Sequence, residues 1–172
     1  MTTGFDQADR ARSVCFTGHR PWMLHNCRLD DLRLALQNAI QEAIEAGYKW
    51  FYCGMAMGSD ILAGELVVSI REQFPWIRLV CVRPFPGQTD NWPEEWQVRY
   101  QRLLDKADQQ IVLIPSAVSG GYLVRDRYMV DLCSLLIGVY NGAPRGGTAY
   151  TVRYARSQGL KVRLFAPGAY RF

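Results

Sequence analysis

Cys53-Gly54-Met55-Ala56-Met57-Gly58-Ser59-Asp60, entered from Trp50-Phe51-Tyr52 and left through Ile61-Leu62-Ala63-Gly64-Glu65-Leu66-Val67-Val68, is the stretch that decides the fold. It reads as a buried strand that ends in a glycine turn and becomes a helix, with Ser59 or Asp60 as its cap. Gly54 and Gly58 permit positive φ or the close approach of a ligand to the backbone. A helix start leaves N–H donors unpaired and carries the positive end of the macrodipole. A strand–glycine–helix junction is therefore a resting place for an anion, above all a phosphate.

The same grammar repeats outward from this junction. Ser13 to Thr17 is a short apolar strand leading into Gly18-His19-Arg20-Pro21. Asp30 and Asp31 then open an amphipathic helix with Leu32, Leu36, Ala39, Ile40, Ala43 and Ile44 on one face and Gly47 at its stop. Downstream, Pro75 ends the second helix, and strands are expected at Ile77–Val82, Gln110–Ile114, Ser134–Tyr140 and Val162–Phe165. Helices are expected from Pro93, across Arg125 to Asp131, and after Gly146-Gly147-Thr148. Six strands alternating with five helices, several strands apolar on both faces, predict an α/β chain. The form is a Rossmann-like three-layer α/β/α domain with a mainly parallel sheet. Helix-to-strand connections are short, whereas strand-to-helix loops are long, glycine-rich and polar. In a parallel sheet those loops share the carboxyl edge, where open sheets bind ligands at a topological switch point.

Composition narrows the class. A chain of 172 residues, 49% apolar, suits one domain, expected over 13–172 behind a flexible arm at 1–12. The net charge of +4 arises from 20 basic and 16 acidic residues with no run of like charge, which suits a weakly basic pocket better than a nucleic-acid-coating surface. Five cysteines, Cys15, Cys27, Cys53, Cys81 and Cys133, form no C-x-x-C pair, so neither a disulfide framework nor a zinc site is expected. No segment has the apolar length of a membrane helix, and a soluble cytoplasmic protein is expected.

The candidate site residues come from three loops. Gly18, His19 and Arg20 leave the first strand; Arg20 suits a two-bond contact with phosphate, and His19 can donate or titrate near neutral pH. Gly54, Met55, Gly58, Ser59 and Asp60 form the second wall, where Asp60 either caps the helix or accepts from a ribose hydroxyl. Gly146, Gly147 and Thr148 make a second glycine turn into a helix, with Thr148 as cap or phosphate ligand. Arg125 and Arg127 read either as mobile positive charge from the neighbouring loop or as a solvated helix face, and His25 as a solvated loop residue. Trp92 and Trp96 could stack on a base or pack as core. Asp60 and Glu65, five residues apart, point to different sides of their helix. No Walker A, G-x-G-x-x-G, G-x-S-x-G or H-E-x-x-H pattern is present.

Taken in order, Cys15-Phe16-Thr17-Gly18-His19-Arg20-Pro21, Gly54 to Asp60 with Glu65, Arg127-Tyr128-Met129-Val130-Asp131 and Gly146-Gly147-Thr148-Ala149-Tyr150-Thr151-Val152 resemble the YpsA-related branch of the SLOG superfamily. The resemblance spans Ser13 to Phe165. It implies a Rossmann-like sheet, a pocket for nucleotides or nucleotide-derived ligands, and bacterial or phage relatives. More distant relatives include the LOG phosphoribohydrolases and the DNA-binding protein DprA. LOG enzymes carry P-G-G-x-G-T-x-x-E, and Thr151 stands here at the position of the Glu. Threonine cannot replace a carboxylate as acid or base at neutral pH.

The leading expectation is therefore binding of a nucleotide or nucleotide-derived ligand such as NAD or ADP-ribose at the carboxyl edge. No metal is expected, and a homo-oligomer is left open. The alternatives are an N-glycosidic hydrolase using Asp60, Glu65 or Asp131, and a DprA-like binder of single-stranded DNA, which the modest charge disfavours.

Overall fold

The computed structural model describes residues 7–24 and 27–167. Part of the expected arm, His25 and the last residues fall outside that range. Within it, Gln7–Arg10 forms a single helical turn (α1) that runs directly into β1, Ser13–Gly18. The Arg12 carbonyl accepts from Lys49 and Trp50 N–H at 2.8 and 3.1 Å, so residues 7–12 are joined to the sheet's lower edge.

After a 3-10 turn at Pro21–Met23 the chain continues through α2 (Leu29–Glu45), β2 (Trp50–Cys53), α3 (Ser59–Arg71), β3 (Arg78–Arg83) and α4 (Glu94–Asp105). It then returns through β4 (Gln109–Val112), α5 (Gly121–Asp131), β5 (Leu135–Val139), α6 (Gly147–Ser157) and β6 (Lys161–Phe165). Apart from α1 and the 3-10 turn, which were not expected, every element lies within a few residues of its expected place. The sheet is six-stranded with the order β4-β3-β2-β1-β5-β6, and each pair is parallel.

Period-two side-chain alternation divides the core into two layers. Val14, Phe16, Phe51, Cys53, Leu79, Cys81, Ile137 and Val139 face α2, α3 and α4, whereas Cys15, Tyr52, Val80, Val82 and Leu136 face α5 and α6. Both faces of the central strands are apolar because both are covered. The chain moves outward from β1 to β4 and then crosses back to β5 on the other side of β1. The topological switch point thus falls between β1 and β5, whose register runs from Val14 opposite Leu135 to Gly18 opposite Val139.

Candidate functional site

At the carboxyl end of that switch point lies a cavity of about 330 Å³. The end of β1 contributes Gly18, His19 and Arg20; α3 contributes Asp60; α5 contributes Arg125 and Asp126; and the start of α6 contributes Gly146, Gly147 and Thr148. The β1 and α3 walls meet very closely. A Cβ on Gly18 would fall 2.5 Å from Ser59 Cβ, and one on Gly58 (φ +93°) would fall 2.7 Å from the His19 carbonyl oxygen. Ser59 ties the junction, its Oγ donating to His19 O at 3.0 Å and its N–H to the same oxygen at 3.2 Å.

Neither expected helix cap forms: the N-caps of α3 and α6 are Gly58 and Gly146, without side-chain bonds. Ser59 turns to His19 instead, and Asp60 Oδ2 turns back to accept from Ala56 N–H at 3.3 Å. Gly146 and Gly147 have no heavy atom within 4 Å of where a Cβ would sit, so the start of α6 is open toward the cavity.

The polar floor is buried. Asp60 is 4% exposed, Arg125 3% and Asp126 8%. Arg125 donates from Nε to Asp126 Oδ1 at 2.7 Å and from Nη1 to the Gly54 carbonyl. It is a fixed strut, neither the mobile charge nor the solvated helix face that the sequence left open. Asp126 also accepts at Oδ2 from Thr151 Oγ1 at 3.0 Å. Burial lifts the Asp60 carboxyl to about 6 against the pull of Arg125 and Arg20, with Asp126 adding to the rise. Burial also lowers the Arg20 pKa, which the nearby Asp60 opposes. The Arg20 guanidinium lies 5.6 Å from the Tyr122 ring centroid, and no described residue accepts a hydrogen bond from it. His19 takes a different part. Burial lowers its pKa, and its Nε2 accepts from Asn141 N–H at 2.9 Å, which leaves a neutral ring with its proton on Nδ1. It bridges the ends of β1 and β5.

Several candidates lie away from the cavity. Met55 is fully buried in the apolar core at φ 61°, and Gly54 is covered by Arg125, whose Cζ would be 2.7 Å from an added Cβ. Gly58 and Ser59 shape the junction without lining the cavity. Arg127 sits on the outer surface over the rings of Tyr150 and Tyr154, and Asp131 accepts from Tyr154 OH at 2.7 Å. Glu65 is held by Arg99 through bonds of 2.8 and 2.7 Å. Of the two tryptophans set aside for a base, Trp92 packs edge-on against Tyr100 and Trp96 lies under Arg99, so neither reaches the site.

Asp126 and Trp22 were not among the sequence candidates although both line the cavity. Asp126 had a signal. Gly121, Arg125 and Met129 recur every fourth residue and are all buried, so Arg125 and its neighbour fall on the inward stripe of α5. Trp22 had none, since a tryptophan in a polar loop reads the same whether it is exposed or packed.

A second hollow of about 780 Å³ lies beside α2, α3 and α4, lined by Leu24, Leu62, Glu65, Trp96 and Arg99. It is larger and also carries Asp30, Arg33 and Arg102, with Glu65 paired to Arg99, but it does not lie at the switch point between β1 and β5. Among the described residues, no three His, Cys, Asp or Glu side chains cluster as metal ligands, and no helix is long and apolar enough to cross a membrane.

Comparison with known proteins agrees with this fold. The YpsA model, described as the YspA SLOG family, matches residues 14–164. A UPF0398 protein of Bacillus pumilus is 22% identical over 151 residues, covering 84% of this chain and 81% of its own. One from Halalkalibacterium halodurans is 25% identical over 165 residues, covering 90% and 87%. Among solved structures, DNA processing protein A from Helicobacter pylori, described for its single-stranded DNA binding mode, superposes with a TM-score of 0.61 at 16% identity. The match covers 92% of this chain and 68% of that one.

Proposed function

Because the chain belongs to the YspA SLOG family, we propose that it binds a phosphate-bearing, nucleotide-derived ligand in the cavity between β1 and β5. One observation carries the reading: Arg20 keeps its donors free in the same cavity into which the open start of α6 points. A fork of N–H donors and a helix N-terminus aimed at one space select a compact anion. The phosphate belongs at the α6 side, because the α3 start already holds the Asp60 carboxylate. At about 330 Å³ the cavity is near the lower end of the range for small-molecule sites, roughly 300–1,000 Å³, so it encloses a mononucleotide and leaves the second half of NAD or ADP-ribose outside.

A second reading, hydrolysis of the ligand's N-glycosidic bond, is favoured by the two carboxylates in the floor. Asp126 is held in place by Arg125 and Thr151, while Asp60 near 6 can exchange a proton close to neutral pH. The Thr151 side chain, where LOG enzymes have their Glu, here bonds a carboxylate that α5 supplies. The DNA binding of the Helicobacter protein is not carried over, since a likeness at 16% identity shows the fold alone.

The test is calorimetric titration with ribose 5-phosphate, the four nucleoside monophosphates, ADP-ribose, NAD and a single-stranded oligonucleotide. Binding of at least one phosphorylated small molecule is expected, weakened in Arg20→Ala by about 1.5–3 kcal/mol for a lost charge-assisted bond. Chromatography of the same mixtures reports free base if the hydrolytic reading holds. Binding of the oligonucleotide alone, or of nothing, overturns the proposal.

A further inference from the structure

Resting on that nucleotide reading, we infer that the Asp60 carboxylate accepts a hydrogen bond from a free ribose hydroxyl of the ligand, so that the cavity takes ribonucleotides and excludes the internal nucleotides of DNA. Asp60 is 4% exposed, yet only half of its carboxylate is engaged. Oδ2 accepts from Ala56 N–H at 3.3 Å. Oδ1 has no hydrogen-bond partner among the described residues and is not sealed from solvent, so it opens on the cavity that Asp60 lines. The nearby cations do not close on it. Arg125 spends its Nε on Asp126 and its Nη1 on the Gly54 carbonyl, and Arg20, although it pulls on the Asp60 charge, makes no ion pair with it. A buried carboxylate oxygen left without a donor costs free energy, and a ligand hydroxyl that donates to it relieves that cost.

The two helix starts at the cavity divide anion from hydroxyl. α3 and α6 pack on opposite faces of the sheet, and both reach the cavity at the switch point. The first turn of α3 carries Asp60, whereas that of α6 carries no acidic residue, and its Gly146 and Gly147 are open. An anion is therefore repelled from the α3 side and drawn to the α6 side. A cation in front of Asp60 would meet Arg20 and Arg125, so a neutral donor fits that space best. A ribose 5′-phosphate has this polarity, with its anion on C5′ and its hydroxyl donors on C2′ and C3′.

A base edge also donates, but the groups beside Asp60 are Arg20, Arg125 and Asp126, all charged, and none offers a base an apolar face. In DNA the 2′ carbon bears no hydroxyl, and the 3′ oxygen of every internal nucleotide is esterified. No sugar donor then remains for Asp60.

The experiment titrates the full chain by calorimetry at about pH 7.5, above the Asp60 value near 6, with AMP, 2′-deoxy-AMP and 3′-deoxy-AMP. Wild type, Asp60→Asn and Asp60→Ala are compared. Wild type is expected to bind AMP about 10- to 150-fold more tightly than at least one deoxy form, the worth of one charge-assisted hydrogen bond. Asp60→Ala is expected to bring that ratio close to unity, and Asp60→Asn, which keeps an acceptor oxygen without the charge, to reduce it. Taking the ratio within each variant cancels the general effect of removing a negative charge. Equal binding of all three ligands by wild type, or a preference that persists in Asp60→Ala, overturns the inference and leaves the nucleotide reading standing. Failure of wild type to bind any of the three also overturns the inference, and failure across the wider phosphorylated panel overturns both. Thermal unfolding separates a lost acceptor from a lost fold, and where Asp60→Ala does not fold, the reduced ratio in Asp60→Asn decides.

Discussion

Asp60 shows how one residue carries two consequences. Its carboxyl is 4% exposed and is pushed by burial to about 6, above the ordinary value near 3.9. A raised folded-state value means that the fold holds its proton more tightly than the unfolded chain does. The stability so gained is complete below pH ~4 and is lost as pH rises through about 6, for a total near 3 kcal/mol. Asp60→Asn can still accept from Ala56 N–H but cannot ionise. The variant is therefore expected to gain on wild type by up to about 3 kcal/mol between pH 4 and pH 7.5, read by denaturant unfolding at both pH values. A difference that does not change with pH would show that the carboxylate stays well solvated. The sequence marked Asp60 as a candidate, and it lines the cavity. Its chemistry was not legible there, because burial depends on Arg125 and Asp126, more than sixty residues away along the chain.

At the scale of elements, the decisive contact is the one between the end of β1 and the start of α3. Gly58 has φ +93° and ψ −122°, a conformation side chains resist, and its Cβ direction is closed by the His19 oxygen at 2.7 Å and Pro21 at 3.1 Å. Gly142 also has positive φ, +84°, but nothing lies within 4 Å of its Cβ position. Gly142→Ala should cost only the backbone strain, roughly 1 kcal/mol, whereas Gly58→Ala should cost about 1–3 kcal/mol more through overpacking. Thermal unfolding of both variants measures the difference, and equal losses would show that the junction yields freely. The sequence made the glycine turn visible, because Gly54 and Gly58 bracket a strand-to-helix change. It did not show that the turn packs against the loop that leaves β1, through Gly58 and Ser59 on His19 and Pro21. Likewise, Arg125 and Arg127 look equivalent two residues apart, yet the phase of α5 buries the first and leaves the second on the surface.

For the whole molecule, the strand order places β1, β2, β3 and β5 inside the sheet and leaves β4 and β6 as edges. Gln109, Gln110 and Val112 of β4 are exposed, so this strand has the least packing to protect its ladder. Amides of β1 and β2 are expected to exchange only through global unfolding and those of β4 at least tenfold faster, as measured by hydrogen exchange with mass spectrometry. Uniform protection across the six strands would count against an open β4 edge. Apolar runs, helix periodicity and short helix-to-strand links were enough to determine an α/β domain with its loops gathered on one edge, because those signals are local and each strand shows both its covered faces. Strand order is not local. Only the tertiary structure decided that the chain reverses at β1, that the cavity opens between β1 and β5, and that Trp22, Asp126 and the start of α6 share it. Those residues meet through packing across the sheet, and no spacing along the chain encodes which side chains a crossover brings together.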